Sequence, residues 1–267
     1  MSAPLFVIGL GPGDPSLLAP EAAAALAASA VLVGYKGYID LIPEERRAGR
    51  RIIATGMTGE MARAEAAIAA ALAGEATALV CSGDPGVYAL SGLVLELMER
   101  QGLCALDPPL HIIPGIPAVC AAAALLGAPL MHDFACVSLS DLLTPWPRIV
   151  NRLECAFSGD FVVALYNPRS RRRVTQLEEA LAIAARHRAP GTPAGLVKNA
   201  FRPGQQVTIA PVEHMDPADA DMFSILIIGN STSRIVPGRD GRPLSWESGA
   251  RMLTPRGYLE KYGGRES

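Results

Sequence analysis

Short apolar runs alternate along most of this chain with longer stretches whose apolar residues fall at helical spacing. The run at 78–81 stops at Ser82-Gly83-Asp84-Pro85-Gly86, and Val87, Leu90, Leu93, Val94, Leu97 and Met98 then follow a helical period. That order predicts a buried strand, a tight turn and a helix. The turn falls at the carboxyl end of the strand, where open α/β sheets bind ligands. The pattern also predicts strands at 5–8, 30–33, 52–53 and 111–113. Helices are expected from about residue 16 or 20 to 29, at 58–73, and in the alanine-rich stretch after Pro114-Gly115-Ile116-Pro117-Ala118. Thr58 forms only half a capping box, because Met61 stands where Glu or Gln would complete it.

The alternation breaks at 127–133, which places a boundary between a domain at 1–130 and a second at 131–240. The second series predicts strands at 135–139, 161–165 and 194–197, with helices at 147–157 and 174–188. Residues 206–209 and 223–228 look like strands paired with each other, so this sheet is expected to be mixed. The fold class is therefore α/β, with two α/β domains and mainly parallel or mixed sheets. Residues 241–267, rich in Gly, Pro and Arg, are expected to form a loosely held tail with a short helix at 255–262.

Composition narrows the function. Half of the 267 residues are hydrophobic, enough for sizeable cores, and a formal net charge of -2 gives no reason to expect nucleic acid or an anionic membrane as partner. No apolar run approaches the eighteen or so residues that span a bilayer, and no basic stretch precedes an apolar one at the N-terminus. The scattered Cys81, Cys104, Cys120, Cys136 and Cys155 fit buried thiols in a reducing cytoplasm and do not have metal-ligand spacing.

Gly9-Leu10-Gly11-Pro12-Gly13-Asp14 invites a dinucleotide reading that its chemistry rejects. Asp14 replaces the third glycine of the fingerprint, Pro12 removes an amide donor, and no acidic residue ends the second strand. No P-loop motif is present either. The loops at 11–14, 82–88 and 114–118 contain neither Lys nor Arg. They suit a neutral or cationic ligand held by carbonyls and a carboxylate, and not a phosphate.

In order along the chain, Gly9 to Asp14, Ser82-Gly83-Asp84-Pro85 and Pro114-Gly115-Ile116-Pro117-Ala118 resemble the motifs of the S-adenosylmethionine-dependent tetrapyrrole methylases. The resemblance extends to about residue 235. It is nearest to the branch that methylates C17 of precorrin-3B, through residues 82–88, 134–146, Leu165-Tyr166-Asn167-Pro168-Arg169-Ser170 and Gly229-Asn230-Ser231-Thr232. It implies a homodimeric, metal-free, cytoplasmic enzyme of cobalamin biosynthesis with a ligand cleft between its two domains. The expected reaction is C17 methylation coupled to ring contraction, giving precorrin-4. By motif, Pro12, Ser82, Gly83, Asp84, Val87, Pro117, Ala118, Asn167 and Ala200 would contact S-adenosylmethionine, Ala200 standing where the family often has glycine. Some cobalt-pathway relatives carry an extra cysteine-bearing domain, and its absence here favours the metal-free substrate over the cobalt complex.

A precorrin carries many carboxylates, and Arg169, Arg171, Arg172 and Arg173 follow a strand at a helix start. Arginine forks fit carboxylates, so these four are candidate substrate contacts, although four cations there would oppose the helix dipole. A solvated basic helix start or a nucleic-acid patch fits the same run. A sulfonium is already an activated methyl donor, so alignment is the main requirement. Asp141 is the candidate general acid or base for ring contraction, with a helix cap as its competing role. His132 is a weaker candidate for proton transfer, with a structural histidine as the favoured alternative, and nothing in the sequence ranks Glu60 or Asp133. A different class, a nucleotide-binding regulatory module without chemistry, fits the same fold.

Overall fold

The computed structural model describes residues 1–238, 247 and 249–263. The chain divides into two compact units, Met1–Ala118 and Val119–Ser267.

The first unit is built on five parallel strands: β1 (Leu5–Gly9), β2 (Val31–Tyr35), β3 (Arg51–Thr55), β4 (Thr77–Cys81) and β5 (Leu110–Ile113). Their order is β3-β2-β4-β1-β5. The helices are α1 (Pro20–Ala28), the single turns α2 (Lys36–Ile39) and α3 (Glu44–Arg47), α4 (Glu60–Leu72) and α5 (Ser91–Arg100). Side-chain alternation gives the sheet two cores. Leu5, Val7, Val31, Val33 and Leu79 pack with Ala64, Ala67 and Ile68 of α4 and with Val94 and Leu97 of α5. Ile8, Leu32 and Val80 pack on the other face with Ala22, Ala25 and Leu26 of α1. Both faces of β4 are therefore covered, which is why it reads as an unbroken apolar run. The chain leaves β1 towards β2 on one side and leaves β4 towards β5 on the other. The loops after β1 and β4 thus flank a topological switch point.

Two helices start later than the apolar period suggests. α4 begins after Gly59, because Thr58 is left-handed at φ 64 and caps nothing. α5 begins at Ser91 and not near Val87, since Tyr88 is left-handed at φ 53 and Ser91 bonds back to the Pro85 carbonyl through both N–H and Oγ.

The second unit contains α6 (Ala118–Leu126), β6 (Gly127–Ala128), β7 (Phe134–Ser138), α7 (Trp146–Ser158), β8 (Val162–Tyr166), α8 (Gln176–His187), β9 (Pro193–Lys198), β10 (Gln206–Pro211), β11 (Ser224–Ile228), β12 (Arg234–Val236), β13 (Arg251–Leu253) and α9 (Tyr258–Tyr262). The main sheet runs β10-β9-β11-β8-β7, and β12-β13-β6 forms a small second sheet. Val137, Leu139, Val163, Leu165, Leu196 and Leu226 pack against Ile149, Leu153 and Phe157 of α7 and Leu177, Ala180 and Ile183 of α8. Leu126 of α6 packs where a Cβ on Gly195 would fall only 2.4 Å from its side chain.

The expected pairing of 206–209 with 223–228 is corrected: β9 lies between them, antiparallel to both. β11 is buried along its whole length and belongs inside the sheet, whereas β10 alternates in exposure and suits an edge. α8 starts at Gln176, so the four arginines lie in the preceding loop, and Glu178 and Glu179 occupy the first helical turn. The helix-dipole cost expected for the arginines does not arise. Of the tail expected at 241–267, residues 241–246, 248 and 264–267 lie outside the described residues. β13 and α9 fall within it. Among the described residues, no helix is long and apolar enough to cross a membrane.

Candidate active site

In the first unit, the three candidate loops leave the carboxyl ends of the adjacent strands β4, β1 and β5. Gly11 and Gly83 form an antiparallel bridge, exchanging N–H···O bonds of 3.1 and 2.8 Å. Both are left-handed at φ 68, a conformation glycine takes without strain. The backbones press together just beneath: a Cβ on Gly9 would lie 2.6 Å from the Gly83 carbonyl oxygen.

Asp84 joins the second loop to the third. Its Oδ1 accepts from Gly86 N at 2.8 Å, and its Oδ2 accepts from Gly115 N at 3.1 Å. Asp14 caps the turn after the first loop, accepting from the Ser16 amide and hydroxyl, and these bonds hold its carboxyl below the usual range. Pro12, Ser82, Gly83, Asp84, Val87, Pro117 and Ala118 thus all belong to three mutually braced loops. A Cβ on Gly83 would reach Pro117 Cα at 3.6 Å. Burial pushes the Cys81 thiol, at the end of β4, up to about 11, so it is not a nucleophile near neutral pH.

The Asp84 strap has a measurable consequence. In D84N one side-chain oxygen becomes an NH2 group, which cannot accept from the Gly115 or Gly86 amide. We expect a loss of about 1–3 kcal/mol in urea denaturation, together with weaker S-adenosylhomocysteine binding. Unchanged stability and affinity in D84N would remove the strap from the account.

In the second unit, β7, β8 and β9 run in one direction and β11 runs against them. The residues that follow β7, β8 and β9 therefore share one edge of the sheet. Asn167 directly follows β8 and Asn199 directly follows β9, both left-handed at φ 50. Thr58, Tyr88 and Phe201 are also left-handed, in the loops that follow β3, β4 and β9, while Asp160, before β8, is left-handed at the other edge. Of these, only Asn167 is among the residues expected to contact S-adenosylmethionine. The available signal is an Asn closing an apolar run, as in Tyr166-Asn167 and Lys198-Asn199. Asn167 Nδ2 donates to Ser138 Oγ at 3.0 Å, and Ser140 N donates to the same oxygen at 3.2 Å. Ala200, half-buried, follows Asn199. Lys198 Nζ is 2.7 Å from Asp221 Oδ2. Burial raises the Asp221 carboxyl, but Lys198, the Phe223 amide and the Ser224 hydroxyl together hold it below its ordinary value.

The four arginines take different places. Arg171 and Arg172 are exposed. Arg169 is half-buried and donates to the Pro217 carbonyl at 2.9 Å. Arg173 is buried, and its Nε and Nη2 donate to the Asn167 carbonyl at 3.1 and 2.8 Å. Burial lowers the Arg173 pKa, and Asp141, 4.0 Å from Nη1, opposes the shift. Asp141 also accepts from Gln176 Nε2 at 3.0 Å. It does not cap α7, whose N-cap is Pro145. Val119 N donates to the Tyr166 hydroxyl at 3.0 Å, fixing the ring of the residue before Asn167.

The family model of the tetrapyrrole (corrin/porphyrin) methylases matches residues 4–216. The chain belongs to this family. It is 44% identical over 254 residues to a protein of Salmonella typhimurium named probable cobalt-factor III C(17)-methyltransferase, covering 95% of this chain and 99% of that one. It is 39% identical over 261 residues to the precorrin-3B C(17)-methyltransferase of Sinorhizobium, covering 97% and 98%. The crystal structure of the methyltransferase CobJ superposes with a TM-score of 0.81 at 34% identity, covering 95% of this chain and 99% of that one. The tetrapyrrole methylase fold expected from the loop motifs is therefore the fold of this chain. As a family member it is a methyltransferase, as its loop motifs suggested.

Proposed function

We propose that this protein transfers a methyl group from S-adenosylmethionine to C17 of precorrin-3B, with ring contraction to precorrin-4, in cobalamin biosynthesis. The observation that carries the reading is near full-length similarity to two proteins whose names share the C17 position and differ in the substrate. The chemistry of the loops agrees. Three braced loops without Lys or Arg offer backbone carbonyls and amides to a neutral adenosine and a cationic sulfonium. The proposed donor contacts are Pro12, Ser82, Gly83, Asp84, Val87, Pro117 and Ala118 in the first unit, and Asn167 and Ala200 in the second. In the transfer the S–CH3 bond breaks as the C17–CH3 bond forms, leaving S-adenosylhomocysteine. The protein's part is to hold donor and carbon in line.

Arg169, Arg171 and Arg172 are proposed to meet substrate carboxylates. Asp141, 36% exposed, is kept as the proposed proton carrier for ring contraction. A cytoplasmic homodimer is proposed as the working form, supported by the resemblance; of the cysteines expected to be buried, Cys81 is, whereas Cys104, Cys120 and Cys155 are exposed.

A second reading replaces precorrin-3B by its cobalt-containing counterpart. It is favoured by the Salmonella relative, whose name gives cobalt-factor III and which this chain covers almost end to end. Chain length therefore does not separate the two substrates. Incubation of the purified protein with S-adenosylmethionine and each tetrapyrrole, followed by mass spectrometry, decides between them. One added methyl on precorrin-3B supports the first reading, and methylation of the cobalt complex alone supports the second. No S-adenosylhomocysteine binding in calorimetry would reject both and leave the non-catalytic module. The double variant R171A/R172A is expected to raise KM for the tetrapyrrole about tenfold, with S-adenosylhomocysteine affinity changed less than twofold. Tenfold is the loss of roughly one charge-assisted hydrogen bond. Equal losses of both would assign the pair a folding role.

A further inference from the structure

Arg173 is the one arginine of the 169–173 run whose side chain is turned fully inward, with 6% of it exposed. Its Nε and Nη2 both donate to a single acceptor, the carbonyl of Asn167. Its backbone is fixed as well: Arg173 N donates to Ser170 Oγ at 3.0 Å, and the Arg173 carbonyl accepts from Ser170 N at 3.0 Å. Burying a permanent cation costs several kcal/mol unless it is compensated. The compensation here is thin. Asp141 stands 4.0 Å away, about a third in solvent and engaged with Gln176, and Met222 Sδ is 4.0 Å from Nη2. Such an arrangement calls for a purpose beyond filling space.

The carbonyl it grips belongs to a residue in the left-handed region. Asn199 supplies an internal comparison, having the same residue type, the same φ of 50 and the same position after a strand. Asn199 is held by other means: its carbonyl accepts from the Arg202 main-chain amide at 2.9 Å, its N–H donates to the Phe223 carbonyl at 3.0 Å and its Nδ2 to the Gly204 carbonyl at 3.4 Å. The left-handed turn alone therefore does not require a buried guanidinium. What distinguishes Asn167 is that a buried guanidinium, and not a main-chain amide, holds its carbonyl, while its Nδ2 donates to Ser138 Oγ. Among the described residues nothing donates to its carboxamide oxygen, which is left for a ligand's donor.

We infer that Arg173 is a positioning residue which clamps Asn167 in its left-handed conformation, so that Asn167 can engage S-adenosylmethionine, and that Arg173 itself touches no substrate carboxylate. This rests on the proposed donor role of Asn167. In R173M the stem keeps its bulk and the carbonyl loses both donors. We expect S-adenosylhomocysteine affinity, read by calorimetry, to fall at least tenfold, while precorrin-3B affinity, read by absorbance titration, changes less than twofold.

N167G supplies the readout that a merely structural role would not move. Glycine takes φ 50 unaided and brings no side chain to be positioned. In the N167G background, R173M is therefore expected to change S-adenosylhomocysteine affinity less than threefold. An undiminished tenfold effect there would overturn the clamp. So would lost tetrapyrrole affinity with unchanged donor affinity in R173M. If R173M does not fold, R173K carries the same comparison, since its ammonium keeps the charge without the two-pronged grip. A wild-type protein that binds no S-adenosylhomocysteine would reject the proposed function, and the clamp with it. Normal wild-type binding with an unaffected variant rejects the clamp alone.

Discussion

Replacing Gly115 by alanine is expected to disable the first unit. The new Cβ would lie 2.2 Å from the Gly83 carbonyl oxygen and 2.8 Å from both the carbonyl carbon and oxygen of Gly9. Every one of those atoms is backbone, and none can turn aside as a side chain would. Gly9 ends the strand that pairs with both β4 and β5, so relief requires moving strands whose side chains form two cores. Overpacking typically costs about 1–3 kcal/mol where neighbours can yield. Here the cost should reach about 3 kcal/mol or more, a large share of the roughly 5–15 kcal/mol that stabilises a domain. The same movement would part Asp84 Oδ2 from the Gly115 amide and spread the braced loops. Urea denaturation should show the lost stability, and calorimetry a loss of S-adenosylhomocysteine affinity of about tenfold or more. Gly92 is the control. It lies in α5, and a Cβ added there would meet nothing within 4 Å, so G92A should be neutral or gain up to about 1 kcal/mol. A G115A protein with wild-type midpoint and affinity would mean that the loops are not packed this closely.

Much of the first unit was legible because a parallel strand covered on both faces can only be an apolar run, and its helices carry one apolar stripe. The three loops were legible by their position after such runs and by their lack of basic residues. What stayed hidden was set by neighbours far along the chain. Nothing local to Asp84 announces that its carboxylate meets the amide of Gly115, 31 residues on. The four arginines at 169–173 are equivalent as letters, yet the packing of the loop turns Arg173 inward and leaves Arg171 and Arg172 in solvent. The apolar period continued through Val87 and Leu90, whereas the left-handed Tyr88 delays the helix to Ser91. Pairing order in the second sheet was hidden for a related reason. Adjacent strand-like segments suggest a hairpin, but the fully buried β11 needs a neighbour on each side.

Removal of the Arg188 side chain should cost the second unit more than any substitution at its candidate site edge. The side chain is 1% exposed, and its donors reach three separate carbonyls, Gly229 at 2.7 Å, Phe157 at 3.0 Å and Phe161 at 2.6 Å, and at longer range a fourth, His187 at 3.5 Å. It also lies 5.0 Å from the centroid of the Phe157 ring and 3.5 Å from Asp160 Oδ1. Asp160 in turn accepts from the Ser231 amide at 3.0 Å and the Ser231 hydroxyl at 2.6 Å. One guanidinium thus joins the end of α7, the approach to β8 and the end of β11. R188A leaves three carbonyls short of a donor and Asp160 without its cation, and about 3–5 kcal/mol should be lost. R188K should fall between, because an ammonium cannot span three divergent acceptors. The motif Gly229-Asn230-Ser231-Thr232, which helped carry the family resemblance, sits in this clasp. Asn230 Oδ1 accepts from Thr232 N, Thr232 Oγ1 and Ser233 Oγ. β11 runs against β8 and β9, so the motif lies at the edge opposite Asn167 and Asn199. Its physical work is to close the sheet, and the folded fraction of R188A should therefore bind S-adenosylhomocysteine within twofold of wild type. Weakened binding without lost stability would instead place the clasp in the site.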